Sequence, residues 1–227
     1  AAVAEVLADD GIFVAQLMTL RDMVDLSDVG NFSHEHLEFY TIRSLAILFA
    51  RHGLVITDLE QNDVNGRSTR LYVGHAGTHV AKVLRAFCDE QYLYRPTFYK
   101  QWQLEIDSNM RVLYRAVSHA VASGKSGWVY GASTKGNVIL QHAGLDHSLI
   151  RGAADRSPEK LGLVTVGSGI PILPEQAARD ANPDYFLVLP YAFIDEFVAR
   201  EAEWLAKGGR FMVPLPKYHE IGAADHG

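Results

Sequence analysis

The sequence predicts an α/β protein of two domains, the second built on a parallel sheet. Short apolar runs alternate with amphipathic stretches of helical period through the C-terminal half, the pattern of strands joined by right-handed helical crossovers. Glycine-rich turns punctuate this pattern at "YGASTKGN" and at Gly208-Gly209. One apolar stripe runs through residues 96–123, where Phe98, Trp102, Ile106, Met110, Leu113, Val117 and Val121 recur every three or four positions and define a single long helix. That helix divides the chain into a first domain, residues 1–95, and a second, residues 96–227, that it leads.

In the first domain, "AAVAEVLADDGIFVAQLM" reads as the end of a helix, a turn at Asp9-Asp10-Gly11, and a strand over residues 12–17. The strand is apolar but for Gln16 and reads as one in a parallel sheet covered on both faces. An α/β domain rarely begins on its last unit, so further sequence is expected ahead of Ala1. A polar stretch, residues 19–40, follows. Thr41 is a good N-cap for a short helix, "TIRSLAILFARHG", that Gly53 closes. Strands over residues 54–59 and 69–73 flank a connection holding Asn65-Gly66, a strong turn pair.

In the second domain, "WVYGASTKGNVILQHAG" reads as strand, glycine loop and helix, and a second strand ends near Asp155. "DYFLVLP" is a third strand, "AFIDEFVAREAEWLAKGG" one amphipathic helix, and "RFMVPLP" a fourth strand.

The formal net charge of −6 gives no nucleic-acid footprint. One cysteine, Cys88, excludes an intrachain disulfide and any cysteine-rich zinc cluster within these residues. No apolar run reaches the length of a membrane span, and no secretory signal pattern is visible, so a cytoplasmic setting is the expectation.

Two stretches carry chemistry. In "YGASTKGN" small residues allow a ligand close to the backbone, the following helix offers free N–H groups to an anion, and Lys135 adds a cation. The spacing is neither the dinucleotide fingerprint nor a P-loop, and an ordinary tight turn explains the loop equally well. Asp155, at the next strand end, is placed like an acid that binds a ribose hydroxyl, or like a helix N-terminal acid; Arg156 and Lys160 follow it. The other stretch is "FSHEHLEF", residues 32–39. In an extended segment His34 and His36 share one face and Glu35 the other. A metal needs a third ligand, and no other histidine has a ligand-like spacing to this pair, so no metal is expected here. An imidazole oriented by a carboxylate is a good general base, and a solvated loop is the plain alternative.

The order "HEHL", helix, "NGRSTRLYV", long helix, "YGASTKGN", "ADRSPEKLG", "SGIPI", "DYFLVLP" and "GGRFMVPLP" resembles the sugar C-methyltransferases, which add methyl branches to nucleotide-linked ketodeoxysugars. The resemblance covers nearly the whole chain. It implies the end of a class I methyltransferase Rossmann-like domain followed by a second Rossmann-like domain that holds the sugar nucleotide. It implies S-adenosylmethionine as methyl donor, with most of its site upstream of Ala1, and zinc only in a further N-terminal domain. It assigns His36 as the base that takes a proton beside a 4-ketone, at C3, with Glu35 and His34 in the same catalytic group. Ser33 occupies the place of a tyrosine in related members. The implied substrate-binding set is Ser33, Asn65, Gly131, Ser133, Lys135, Asn137, Asp155 and Lys160. A non-catalytic sugar-nucleotide-binding fragment and, less favoured, a nicotinamide oxidoreductase are the competing functions.

Overall fold

The computed structural model describes residues 1–75 and 77–223, and these divide into two compact units, one of Ala1–Leu26 with His36–Trp102 and the other of Ser27–Glu35 with the described residues from Gln103 onward. The second unit therefore includes a short segment from the first half of the chain.

The first unit carries α1 (Ala2–Val6), β1 (Phe13–Leu17), α2 (Leu20–Asp25), α3 (Ile42–Ala50), β2 (Val55–Asn62), β3 (Ser68–Gly74) and α4 (Ala81–Asp89). Its three strands lie in the order β1-β3-β2, all antiparallel. β1 is thus not a parallel strand covered on both faces. It alternates between half-buried and exposed positions, with Val14 on the open side, because its partner β3 runs against it and only one face meets the core. That core joins Ile42, Leu45 and Ala46 of α3 to Ile56, Leu71 and Val73 of the sheet and Val83 of α4. Ile56, Leu71 and Val73 are fully buried, and each such side chain stabilises by roughly 1.5–3 kcal/mol. Asn65, at a φ of 56°, turns the chain between β2 and β3.

Two buried carboxylates pin the helices of this unit. Asp22 completes a capping box with Thr19 and accepts further hydrogen bonds from Thr69 Oγ1 at 3.1 Å and Gln61 Nε2 at 2.8 Å. Glu90, just past α4, accepts the Ile42 N–H with both oxygens, at 3.1 and 2.9 Å, and so satisfies an orphan donor at the start of α3.

The long helix α5 (Pro96–Ala122) leads into the second unit, where Ile106, Met110, Leu113 and Val117 are buried as the apolar stripe requires. Asn109 fixes it to the C-terminal strands, donating to the Pro214 carbonyl at 2.8 Å and accepting the Tyr218 N–H at 2.7 Å. There follow β4 (Gly127–Tyr130), α6 (Thr134–Ala143), β5 (Ala153–Asp155), β6 (Ile172–Pro174), α7 (Glu175–Ala181), β7 (Tyr185–Val188), α8 (Ile194–Arg200), α9 (Ala202–Ala206), β8 (Arg210–Val213) and β9 (His219–Ile221). The six strands lie in the order β6-β5-β4-β7-β8-β9, parallel except for β9. The chain works outward from β4 through β5 to β6, then returns to lay β7 on the other side of β4. This reversal creates a switch point at the carboxyl ends of β4 and β7, the crevice where open α/β sheets bind ligands.

The amphipathic helix expected as one piece is two, α8 and α9, broken at Glu201. The Glu201 side chain is drawn inward to the Tyr130 hydroxyl, at 2.7 Å, and to Arg179, at 2.8 Å. Arg200 stacks over the Tyr130 ring with its guanidinium carbon 5.1 Å from the centroid and also donates to the hydroxyl. Burial first, and then the Glu201 carboxylate, push the Tyr130 phenol well above its ordinary pKa.

Candidate functional site

The glycine loop stands at the switch point. Gly131, at a φ of +85°, closes β4 against Pro190 after β7; a Cβ there would lie 2.6 Å from the proline ring. Ser133 caps α6, its Oγ accepting the Gly136 N–H at 3.0 Å. Lys135 lies in the first turn of α6. Asn137 is two positions on, so the two side chains do not share a helix face.

Asp155 is committed to the protein. Its Oδ2 accepts the Ala132 N–H at 2.9 Å and lies 3.3 Å from Lys160 Nζ, while Oδ1 accepts the Ser157 N–H at 2.8 Å. Lys160 in turn donates to the Ala132 carbonyl at 3.0 Å. Acid and cation together clamp the glycine loop onto the end of β5. Three of the carboxylate's roughly four acceptor sites are thus engaged within the protein. Beside the clamp, a cavity of about 180 Å³ opens between Tyr130, Gly131, Asp155, Arg156, Glu175 and Arg200.

Lys135 is not an isolated cation. Its Nζ lies 3.2 Å from Oδ2 of Asp28, with 41% of its own side chain exposed and only 2% of the aspartate's. The same oxygen accepts from Asn31 Nδ2 at 2.7 Å. Tyr191, directly after β7, hydrogen-bonds to Asp28 as well, and burial and that carboxylate raise its phenol pKa. Asp28 and Asn31 bracket the 3-10 turn Val29–Asn31, which packs on α6. None of this cluster except Lys135 was among the residues singled out from sequence. A lone aspartate in a polar stretch carries no local signal of a partner 107 positions away.

The "FSHEHLEF" stretch follows this turn. Ser33 lies in a bend and His34–Glu35 in a turn, so strand-like alternation does not hold from His34 to His36; Ser33 and Phe39 are half-buried and residues 34–38 exposed. Ser33, His34 and Glu35 belong to the second unit and His36 to the first. Asn65 is an exposed hairpin residue of the first unit. Among the described residues, no group of three His, Cys, Asp or Glu side chains is arranged to hold a metal ion. No helix among them is long and apolar enough to cross a membrane.

The methyl donor implied by the resemblance does not fit the first unit's cavity. That cavity has about 250 Å³, below the usual range for a ligand of this size, and its wall mixes Arg21, Lys82 and Arg85 with Asp89 and Glu90.

Comparison with known proteins bears on both units. Residues 63–216 match the family described as the C-methyltransferase C-terminal domain. The chain is 34% identical to the C-methyltransferase NovU of Streptomyces niveus over 227 residues, which is 97% of this chain and 54% of that protein. The chain thus spans about half the length of the relative it matches. With residues 63–216, more than half of the chain, covered by that family match, the chain belongs to the C-methyltransferase family.

Proposed function

We propose that these residues serve the S-adenosylmethionine-dependent C-methylation of a nucleotide-linked 4-keto deoxysugar, at C3. The observation that supports this most directly is the placement of the histidine–glutamate turn immediately after a segment built into the unit that carries the glycine loop and Lys135.

In this reading the sugar nucleotide binds at the switch point, with its diphosphate toward the exposed side of Lys135 and the amides that open α6. Asn137, on another helix face, meets a different part of the ligand. Asp155 and Lys160 act by shaping the loop rather than by direct contact, and Gly131 and Ser133 give it its turn and cap. His36 takes the proton from the carbon beside the ketone, and Glu35 and His34 orient it or steady its charge. The enolate carbon so formed would take the methyl group from the donor's sulfonium, which would leave as S-adenosylhomocysteine. General-base help contributes typically about 10²–10⁴-fold, and positioning supplies much of the remainder. Ser33 in place of a tyrosine leaves the base without a neighbouring phenol at that position. Asn65 of the first unit is assigned to the substrate from its motif alone.

The test uses the whole protein and a 4-keto sugar nucleotide in deuterated water without methyl donor. Uptake of deuterium at the carbon beside the ketone, lost in His36→Asn, is the expected result; no uptake by protein that binds the sugar nucleotide would overturn the reading. The alternative is a sugar-nucleotide-binding module without turnover. That reading predicts sugar-nucleotide binding with neither proton exchange nor methylation.

A further inference from the structure

The segment Ser27–Glu35 belongs to the second unit although the chain on either side of it belongs to the first. Its anchor is Asp28. This carboxylate is almost wholly buried: Oδ2 holds Asn31 and Lys135, Tyr191 hydrogen-bonds to the carboxylate as well, and Oδ1 is buried without a partner. The close fit extends to the backbone: a Cβ at Gly30 would lie 2.7 Å from Lys135 Cβ, so only glycine lets the turn sit this tightly on α6. Lys135 follows β4 and Tyr191 follows β7, so Asp28 joins the groups on both sides of the switch point. A buried ion pair is a poor device for stability, because desolvation offsets most of the attraction. It is a good device for register.

We propose that Asp28 is a positioning residue that seats the histidine-bearing segment on the nucleotide-binding unit through Lys135 and Tyr191. This rests on the reading above, in which Lys135 meets a diphosphate and His36 is the base. An ammonium has three donors, and the ion pair with Asp28 uses one, leaving Lys135 oriented and able to meet an anion as well. An anion bound at Lys135 then steadies Asp28, and with it the turn that leads into His34 and His36. Occupancy of the nucleotide site and ordering of Ser27–Glu35, which carries His34 and leads to His36, become linked.

The experiment measures backbone amide hydrogen exchange in the whole chain, with thymidine diphosphate as the probe. In the wild type, the nucleotide should slow exchange in residues 27–35 together with residues 134–140. In Asp28→Asn, and separately in Gly30→Ala, which alters no charge, residues 134–140 should remain protected while residues 27–35 no longer respond. A wild-type segment 27–35 indifferent to the nucleotide, or protection that survives in both variants, overturns the proposal. Proton exchange on the sugar nucleotide supplies the second arm. Asp28→Asn should lower kcat for that exchange by at least several-fold, with KM within a few-fold and the pH midpoint unmoved. A rise in KM at unchanged kcat would assign Asp28 to binding alone and overturn its positioning role. A wild type that binds the sugar nucleotide yet exchanges no proton defeats the proposed reaction instead, and the amide measurement still decides the seating.

Discussion

Asp155 accepts the Ala132 N–H across 2.9 Å, so the end of β5 holds the glycine loop that follows β4. The acid is a brace for the loop, and Lys160 closes it by binding both Asp155 and the Ala132 carbonyl. Asp155→Ala leaves the Ala132 and Ser157 amides without their acceptor. The expected loss is about 1–3 kcal/mol of stability, measured by urea unfolding. Lys160→Ala, whose side chain is partly exposed, should cost less. Equal stability of Asp155→Ala and the wild type would return the residue to a purely ligand-binding role.

His36 carries the chemistry in the proposed reaction. In the whole protein, His36→Asn should lower turnover by about a hundredfold or more, the scale of general-base help, while sugar-nucleotide affinity stays within a few-fold. Steady-state kinetics and calorimetry separate the two. Near-normal turnover would move the role to His34.

Lys135→Ala has two consequences that run together. It should weaken binding of a nucleoside diphosphate by about 1–3 kcal/mol through loss of a charge-assisted contact. It should also destabilise the fold, because it strands the buried Asp28 carboxylate. Adding Asp28→Asn to Lys135→Ala should therefore recover stability without recovering affinity. Thermal unfolding and calorimetry on the single and double variants read both quantities. A double variant less stable than Lys135→Ala alone would contradict the stranded charge.

Glu90 gives the first unit a distinctive pH response. Burial raises its carboxyl pKa in the folded protein, outweighing the hydrogen bonds from Ile42 and Arg43 that lower it. The unfolded chain titrates this group near about 4.3. Between that value and the raised folded one, the native state holds more protons, so stability falls as pH rises through the window. The stability of the wild type relative to Glu90→Gln should accordingly be greatest below the unfolded pKa and decline as pH rises through the folded one. Melting temperatures of both proteins across that range test the sign; a difference independent of pH would show that Glu90 titrates alike in both states.

Much of the second unit's framework could be read from the chain. The stripe from Ile106 to Val117 marked the long helix, and β4, α6, β7 and β8 follow patterns of adequate length. Shorter elements were not legible. β6 is three residues ending in proline, which reads as a breaker, and β9 is three residues opening with His219 and Glu220. α4 follows Val80, an N-cap whose side chain makes no capping hydrogen bond, so nothing marked its start. α7 follows a proline and is likewise uncapped by a side chain. For β1, a row of apolar residues was read as two buried faces, but Val14 faces outward because composition alone does not reveal the direction of the partner strand. The site divides in the same way. The glycine loop and Asp155 lie at the strand ends where spacing put them, but spacing could not say that Asp155 faces the loop or that Lys135 faces Asp28. Both depend on contacts distant in sequence.

The interleaved path of the chain, with Ser27–Glu35 built into the second unit, shapes how the protein reaches its native state. During synthesis the segment emerges well before α6 and Tyr191, the elements that receive it, and the first unit's remaining strands come between. Closing so long a loop is a late, slow event compared with forming the hairpin of β2 and β3. A polypeptide starting at Gln103 would assemble its sheet with the seat beside Lys135 vacant, and a peptide spanning residues 27–35 supplied separately could fill it. Seating Ser27–Glu35 thus waits on elements made later in the chain.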